Sequence, residues 1–153
     1  MSNNDILRSL RYTFDYSDAE MIDIFAAADQ TVTRSQVSNW MKKDDDPEFQ
    51  EMEDVDLAVF LNGLINKNRG RKEGEQAIPE TELNNNIIFK KLKIALNLKD
   101  EDILEMLESV NKKISKHELS AFFRKKGQTQ YRPCLDQILR NFLHGMQLKY
   151  RGN

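Results

Sequence analysis

Apolar residues return along this chain every three or four positions, and the pattern is written twice. Ile6, Leu7, Leu10 and Phe14 fall on one stripe of a 3.6-residue helix, and Ile88, Phe89, Leu92 and Leu96 repeat it. The spacing predicts a first helix, with Asn4 as its N-cap. Ser17 to Glu20 then has capping-box form, in which a hydroxyl accepts a backbone N–H and the Glu reaches back. The helix it opens carries Met21, Ile22 and Phe25, matched by Ile103, Leu104 and Leu107. Thr33 to Gln36 and Ser115 to Glu118 open a third helix in each copy, bearing Val37, Trp40 and Met41, or Leu119, Phe122 and Phe123. Asp54 and Asp136 are the expected N-caps of a fourth, which ends at Arg69-Gly70 and Arg151-Gly152. There the arginine meets the negative end of the helix dipole and the glycine supplies positive φ. No alternating β-branched run competes, so the expected fold is all-α.

The duplication is gapless. Shifted by 82 positions, residues 3–70 align with 85–152, and 15 of the 68 pairs are identical, where chance at ordinary composition gives ~4. The clearest echo is FLNGLINKNRG (60–70) against FLHGMQLKYRG (142–152). We therefore expect two tandem, quasi-equivalent units of about four helices each, residues 1–70 and 85–153. The polar segment 71–84, with Gly74 and Pro79, is expected to join them as an exposed linker. A unit of this size is marginal alone, which favours two units sharing one core. Gly63 and Gly145 lie inside the fourth helix, where glycine costs ~1 kcal/mol relative to alanine. Close approach of another helix is the expected reason, and a ligand or anion contact shared with Arg69 and Arg151 the alternative.

Charge changes the picture. The first copy holds 14 acidic and 7 basic side chains, net −7; residues 85–153 hold 7 acidic and 14 basic, net +7. The chain total of −2 hides this asymmetry. It serves either attraction between opposite halves, within one chain or between two, or binding of a polyanion by the second half.

Residues 18–43 have the form of a helix-turn-helix with a four-residue turn, and Arg34, Gln36 and Asn39 stand where base-reading side chains would. Asp44-Asp45-Asp46 would meet phosphates badly. The second copy has the better charge for nucleic acid or an acidic partner: Lys116, His117, Arg124, Lys125 and Lys126, with Arg132 beyond. Trp40, Phe122 and Phe123 sit at core spacing and are expected in the interior.

No catalytic constellation is present. There is no glycine-rich phosphate loop and no Gly-x-Ser-x-Gly. Neither His117 nor His144 pairs with Cys134 at a metal-ligand spacing. Cys134 aligns with Met52 and reads as a buried thiol. Neither a cofactor, a metal nor a catalytic residue is expected. No run reaches the ~18–20 apolar residues of a membrane helix, and MSNNDILRSL has no signal-peptide form. With a single cysteine, the expected location is cytoplasmic and no membrane partner is expected.

NNDILRSLRY (3–12), WMKKDD (40–45) and the two long echoes together resemble the YehS-like family, small bacterial proteins built from two copies of a domain of unknown function. The resemblance covers essentially the whole chain. It implies an all-helical bacterial protein and transfers no catalytic residue. The second copy has FFRKKG where the first has WMKKDD, so a shared binding surface is not implied. The function expected from the residues is that of a non-enzymatic binding or regulatory module contacting a protein partner. The alternatives are nucleic-acid binding through the basic unit, and an enzyme site formed between the copies around Arg69, Arg151 and the two glycines.

Overall fold

The computed structural model describes all 153 residues and contains eight helices and no strand. They are α1 (Asn3–Phe14), α2 (Asp18–Ala26), α3 (Arg34–Met41), α4 (Asp54–Arg69), α5 (Asn85–Ala95), α6 (Asp100–Glu108), α7 (Lys116–Phe122) and α8 (Asp136–Tyr150). The chain is all-α, and α5–α8 repeat α1–α4 element for element.

The capping boxes form as local chemistry dictates: Ser17 with Glu20, Thr33 with Gln36, and Ser115 with Glu118 each satisfy two backbone N–H groups. Three expected caps are displaced. α1 is capped by Ser2, in a box with Asp5, and Asn4 lies in the first turn. The caps of α4 and α8 are Glu53 and Leu135, so Asp54 and Asp136 are first helical residues. The displaced side chains have longer-range partners. Asn4 is buried; its amide donates to the carbonyls of Trp40 and Gln50, each at 2.9 Å, and its oxygen accepts from Met52 N–H at 2.9 Å. Asn86 makes the same three bonds to Phe122, Arg132 and Cys134. Asn3 and Asn85 donate to Asp54 and Asp136 at 2.8 and 2.7 Å. The Asn-Asn pair of each copy thus pins the irregular segment before the fourth helix onto the first.

The units join through α4 against α5 and α8 against α1. At one end, Leu83 N–H donates to Asp54 at 2.8 Å, and the Met1 nitrogen to Asp136 at 3.3 Å. At the other, Asn68 donates to the carbonyl of Ala95 and Arg151 to that of Tyr12. Each pair is therefore parallel, and the two are related by an approximate twofold. Parallel helices bring like dipole ends together. The first turns of α1, α4 and α8 answer with Asp5, Asp54, Asp56 and Asp136, and the last turns with Arg11, Lys67, Arg69, Lys93 and Lys149. Only α5, among these four helices, has no acidic residue in its first turn.

A single contiguous core of 30 buried residues runs through both units. Phe25, Phe60, Phe89 and Phe142 are its largest fully buried side chains; the Phe89 and Phe142 ring centres lie 4.4 Å apart, and Phe25 lies between Trp40 and Phe60 at 5.3 and 5.2 Å. Trp40 and Phe122 are buried, and Phe123 is partly buried against Phe89.

Candidate anion-binding cleft

The loops after α3 and α7 share one scaffold. In the first, Asp46 N–H bonds Lys43 O, Phe49 bonds Asp46 and Gln50 bonds Asn39. In the second, Gln128 bonds Lys125, Tyr131 bonds Gln128 and Arg132 bonds Ala121. On this common frame the cations Arg8, Lys42 and Lys43 have basic counterparts, but the acids have no acidic ones. In the first unit Arg8 is neutralised by Asp5 at 2.6 Å, and Lys42 by Glu48 at 2.6 Å. The aligned cations of the second unit are Lys90 and Arg124, but Ile87 stands for Asp5 and Gln130 for Glu48. Lys126 replaces Asp44, beside Lys125. The charged groups of Lys90, Arg124, Lys125 and Lys126 have no acidic partner, and all four residues line one cleft of about 240 Å³ with Asn84, Asn86, Ile87, Phe122, Phe123 and Tyr131. The N-terminal end of α5, capped by the neutral Asn84 and without an acidic residue in its first turn, opens beside it, adding to the positive potential.

A second cavity, of about 290 Å³, shares Lys90 and Phe123 with the first and continues along α5 past Lys93, Ile94 and Asn97 to Arg69. Lys93 is paired with Asp100 at 2.8 Å and lies 4.5 Å from the centre of the Phe123 ring. The Arg69 guanidinium donates to Asn97 Oδ1 at 2.8 Å and keeps its charge uncompensated.

Of the six basic residues singled out in the second copy, the structure brings Arg124, Lys125 and Lys126 together. Lys116 lies at the other end of α7, paired with Glu101 at 3.0 Å, which lowers the Glu101 pKa alongside a backbone hydrogen bond. His117 is exposed on the first turn of α7. Arg132 turns onto its own loop, donating to the Tyr131 carbonyl at 2.9 Å. Lys90 was not singled out. It stands 34 positions before Arg124, and its signal was the paired replacement of Asp5 and Glu48 between the copies.

The helix-turn-helix reading needs correction. The segments joining α2 to α3 and α6 to α7 are seven residues long, 27–33 and 109–115, and α7 itself has only seven residues. In the first unit Gln36 is used in its capping box, Arg34 lies 3.7 Å from Asp18, and Asn39 accepts from Lys42. Gln36 and Asn39 are thus engaged locally, while the Arg34 side chain stays 74% exposed.

Arg69 and Arg151 do not converge. Each ends a fourth helix and reaches the end of the other unit's first helix: Arg69 at Ile94 and Asn97, Arg151 at Tyr12 and Asp15. They line different cavities, so the geometry provides no single site between the copies. At Gly63 an added Cβ would lie 1.8 Å from the Ile24 carbonyl oxygen, and at Gly145 2.5 Å from that of Met106. Each glycine admits the second helix of its own unit onto the fourth.

Other chemistry is sparse. No three His, Cys, Asp or Glu side chains come together as metal ligands. Cys134 is buried, and burial, then Asp136, pushes its thiol up to about 12, far from a reactive thiolate. No helix is long and apolar enough to cross a membrane. Only two of the ion pairs link the units directly, Met1 with Asp136 and Arg151 with Asp15, and neither involves Asp44–Asp46 or Arg124–Lys126.

Comparison with known proteins agrees with the repeat. The family described as "Protein of unknown function (DUF1456)" matches at residues 3–70 and again at 85–152. The uncharacterized protein YehS of Escherichia coli (strain K12) is 41% identical over 147 residues, covering 95% of this chain and 94% of the relative. No solved structure matches significantly. With nearly all of the chain accounted for by two copies of one family unit, the protein belongs to the DUF1456 family.

Proposed function

We propose that the protein is a non-catalytic binding module that engages an anionic macromolecular partner through the cleft of its second unit. The observation that carries this reading is the exchange between copies. On one loop scaffold, the first unit pairs its cations with Asp5 and Glu48, and the second removes both acids and adds Lys126. Four uncompensated cations around one cavity repel each other, which costs stability unless an anionic ligand relieves it. The acidic first unit contributes long-range steering, since its field disfavours anions approaching anywhere but the second unit.

The test is retention of the full chain on immobilised heparin, a sulfated polysaccharide, at low salt. The shared core argues against working with an isolated unit. A chain of net charge −2 that is retained must do so through a local patch. The Lys90→Glu/Lys125→Glu variant is expected to elute at clearly lower salt, while Lys113→Glu, an exposed lysine away from the cleft, changes little. Equal elution of all three would refute the reading. Sedimentation at low salt reports whether a second copy, through its Asp44–Asp46 loop, is the acidic partner.

A further inference from the structure

We infer that the occupant of the cleft is a single-stranded nucleic acid lying along α5, an inference that rests on the anion-binding reading above. The first ground is shape. The two cavities share Lys90 and Phe123 and form one track. From Ile87 to Ile94 that track rises about 10 Å along the helix, at ~1.5 Å per residue, and Asn97 and Arg69 extend it past the helix end. A small anion needs one cluster of donors, whereas this track spreads cations along a line, from Lys125 and Lys126 through Lys90 to Arg69.

The second ground is the floor. Ile94 is 39% exposed and Tyr131 is half-buried beside the cations, while Lys93 already lies over the Phe123 ring. Nucleobases offer flat faces to such surfaces while the phosphates meet the lysines, and base–aromatic stacking tolerates any sequence. An acidic peptide fits less well. Along α5 the backbone groups are already bonded within the helix, so a peptide lying there gains no main-chain pairing. A duplex keeps its bases stacked inside and cannot lay them on Tyr131. Nor does the basic unit present a long reading helix, since α7 has only seven residues.

The experiment titrates the full chain into a fluorescent 12-nucleotide single strand, the same sequence as a duplex, and a labelled polyglutamate, from about 50 to 200 mM salt. The single strand is expected to bind best. Four or five phosphates neutralised give a log–log salt slope of about −3, at ~0.7 per phosphate. Lys90→Glu/Lys125→Glu is expected to lose affinity by tenfold or more. Tyr131→Ala is expected to lose about fivefold with the salt slope unchanged, because it removes a stacking face and no charge. Lys112→Glu/Lys113→Glu, with the same change in charge away from the cleft, is the control for net charge, and thermal melts confirm that each variant is folded. Equal or tighter binding of the duplex overturns the single-strand assignment. Binding of polyglutamate with no binding of either nucleic acid also overturns it, yet leaves the anionic cleft standing. Binding of any probe that ignores Lys90 and Lys125 overturns both.

Discussion

The side-chain oxygen of Asn86 accepts the backbone N–H of Cys134 at 2.9 Å, across 48 residues of chain, and Asn4 makes the identical bond to Met52. With two carbonyls bound by the same amide, each asparagine satisfies three main-chain groups, one in the last turn of the third helix and two in the irregular segment before the fourth. Leaving such groups unmatched in the interior costs ~1–3 kcal/mol each before relaxation and water entry. Asn86→Ala and Asn4→Ala are therefore each expected to destabilise the chain by about 3 kcal/mol. Asn→Asp should be at least as harmful, since a carboxylate would face two carbonyl oxygens. Urea denaturation with two-state analysis measures both, and a loss below about 1 kcal/mol would show that the segment holds without the clamp.

Gly63→Ala should destabilise more than Gly145→Ala. Alanine favours a helix by ~1 kcal/mol over glycine, but the added methyl meets the Ile24 carbonyl at 1.8 Å and the Met106 carbonyl at 2.5 Å. Both obstacles are backbone, so α2 or α6 must move as a unit. Overpacking of this kind costs ~1–3 kcal/mol, sometimes more. The expected net loss is about 3 kcal/mol or greater at position 63 and about 1 kcal/mol at 145. A stabilised Gly63→Ala protein would mean that α2 is not held against α4 as described.

How far the chain was legible depended on the range of the interaction. The capping boxes Ser17–Glu20, Thr33–Gln36 and Ser115–Glu118 close within four residues, so the sequence alone revealed them. Asn4 was misread because the same amide suits a helix cap and a buried clamp. Choosing between them requires knowing that Trp40, Gln50 and Met52 arrive beside it. The cleft was half visible for a similar reason. Arg124, Lys125 and Lys126 form a charge run, but Lys90 joins them only after α5 packs beside the loop. Lys116 and His117 looked like neighbours of that run, and α7 carries them to its other end, about 10 Å of helix away at ~1.5 Å per residue. The better guide was the difference between copies, where Asp5 becomes Ile87 and Glu48 becomes Gln130.

Arg69 and Arg151 occupy equivalent, separate positions, so their effects should add. Each is exposed and donates to groups at the end of the other unit's first helix. Arg151 also stacks over Tyr12, 3.9 Å from the ring centre. Arg69→Ala and Arg151→Ala are each expected to cost ~1 kcal/mol. The double variant should match the sum within ~0.5 kcal/mol, as for sites without shared partners. The readout is unfolding without added ligand, since Arg69 also closes one end of the cleft. Strong coupling would mean that the arginines act on one another after all.

Stability should form a plateau bounded by two different chemistries. On the acid side, hydrogen bonds from Ser17 lower the Glu20 pKa, and those from Asn85 and the Met1 nitrogen lower that of Asp136. A group with a depressed folded pKa contributes fully above its unfolded value, ~3.9 for Asp and ~4.3 for Glu, and that contribution is lost as the pH falls through the folded value. On the alkaline side the sign reverses. Burial pushes Cys134 and Tyr16 each up to about 12, with Asp136 and Glu20 adding to the effect. Their contribution is complete below the unfolded values, ~8.5 for Cys and ~10 for Tyr, and is lost as the pH climbs from there towards 12. The urea midpoint should therefore be flat from about pH 5 to 8.5 and fall on either side. Cys134→Ala, whatever its effect on the plateau height, should flatten the decline between pH 8.5 and 10 and leave the steeper fall above ~10, where Tyr16 ionises in the unfolded chain. Wild-type and Cys134→Ala curves of the same shape through that interval would show that the thiol ionises no less readily in the folded chain than in the unfolded one.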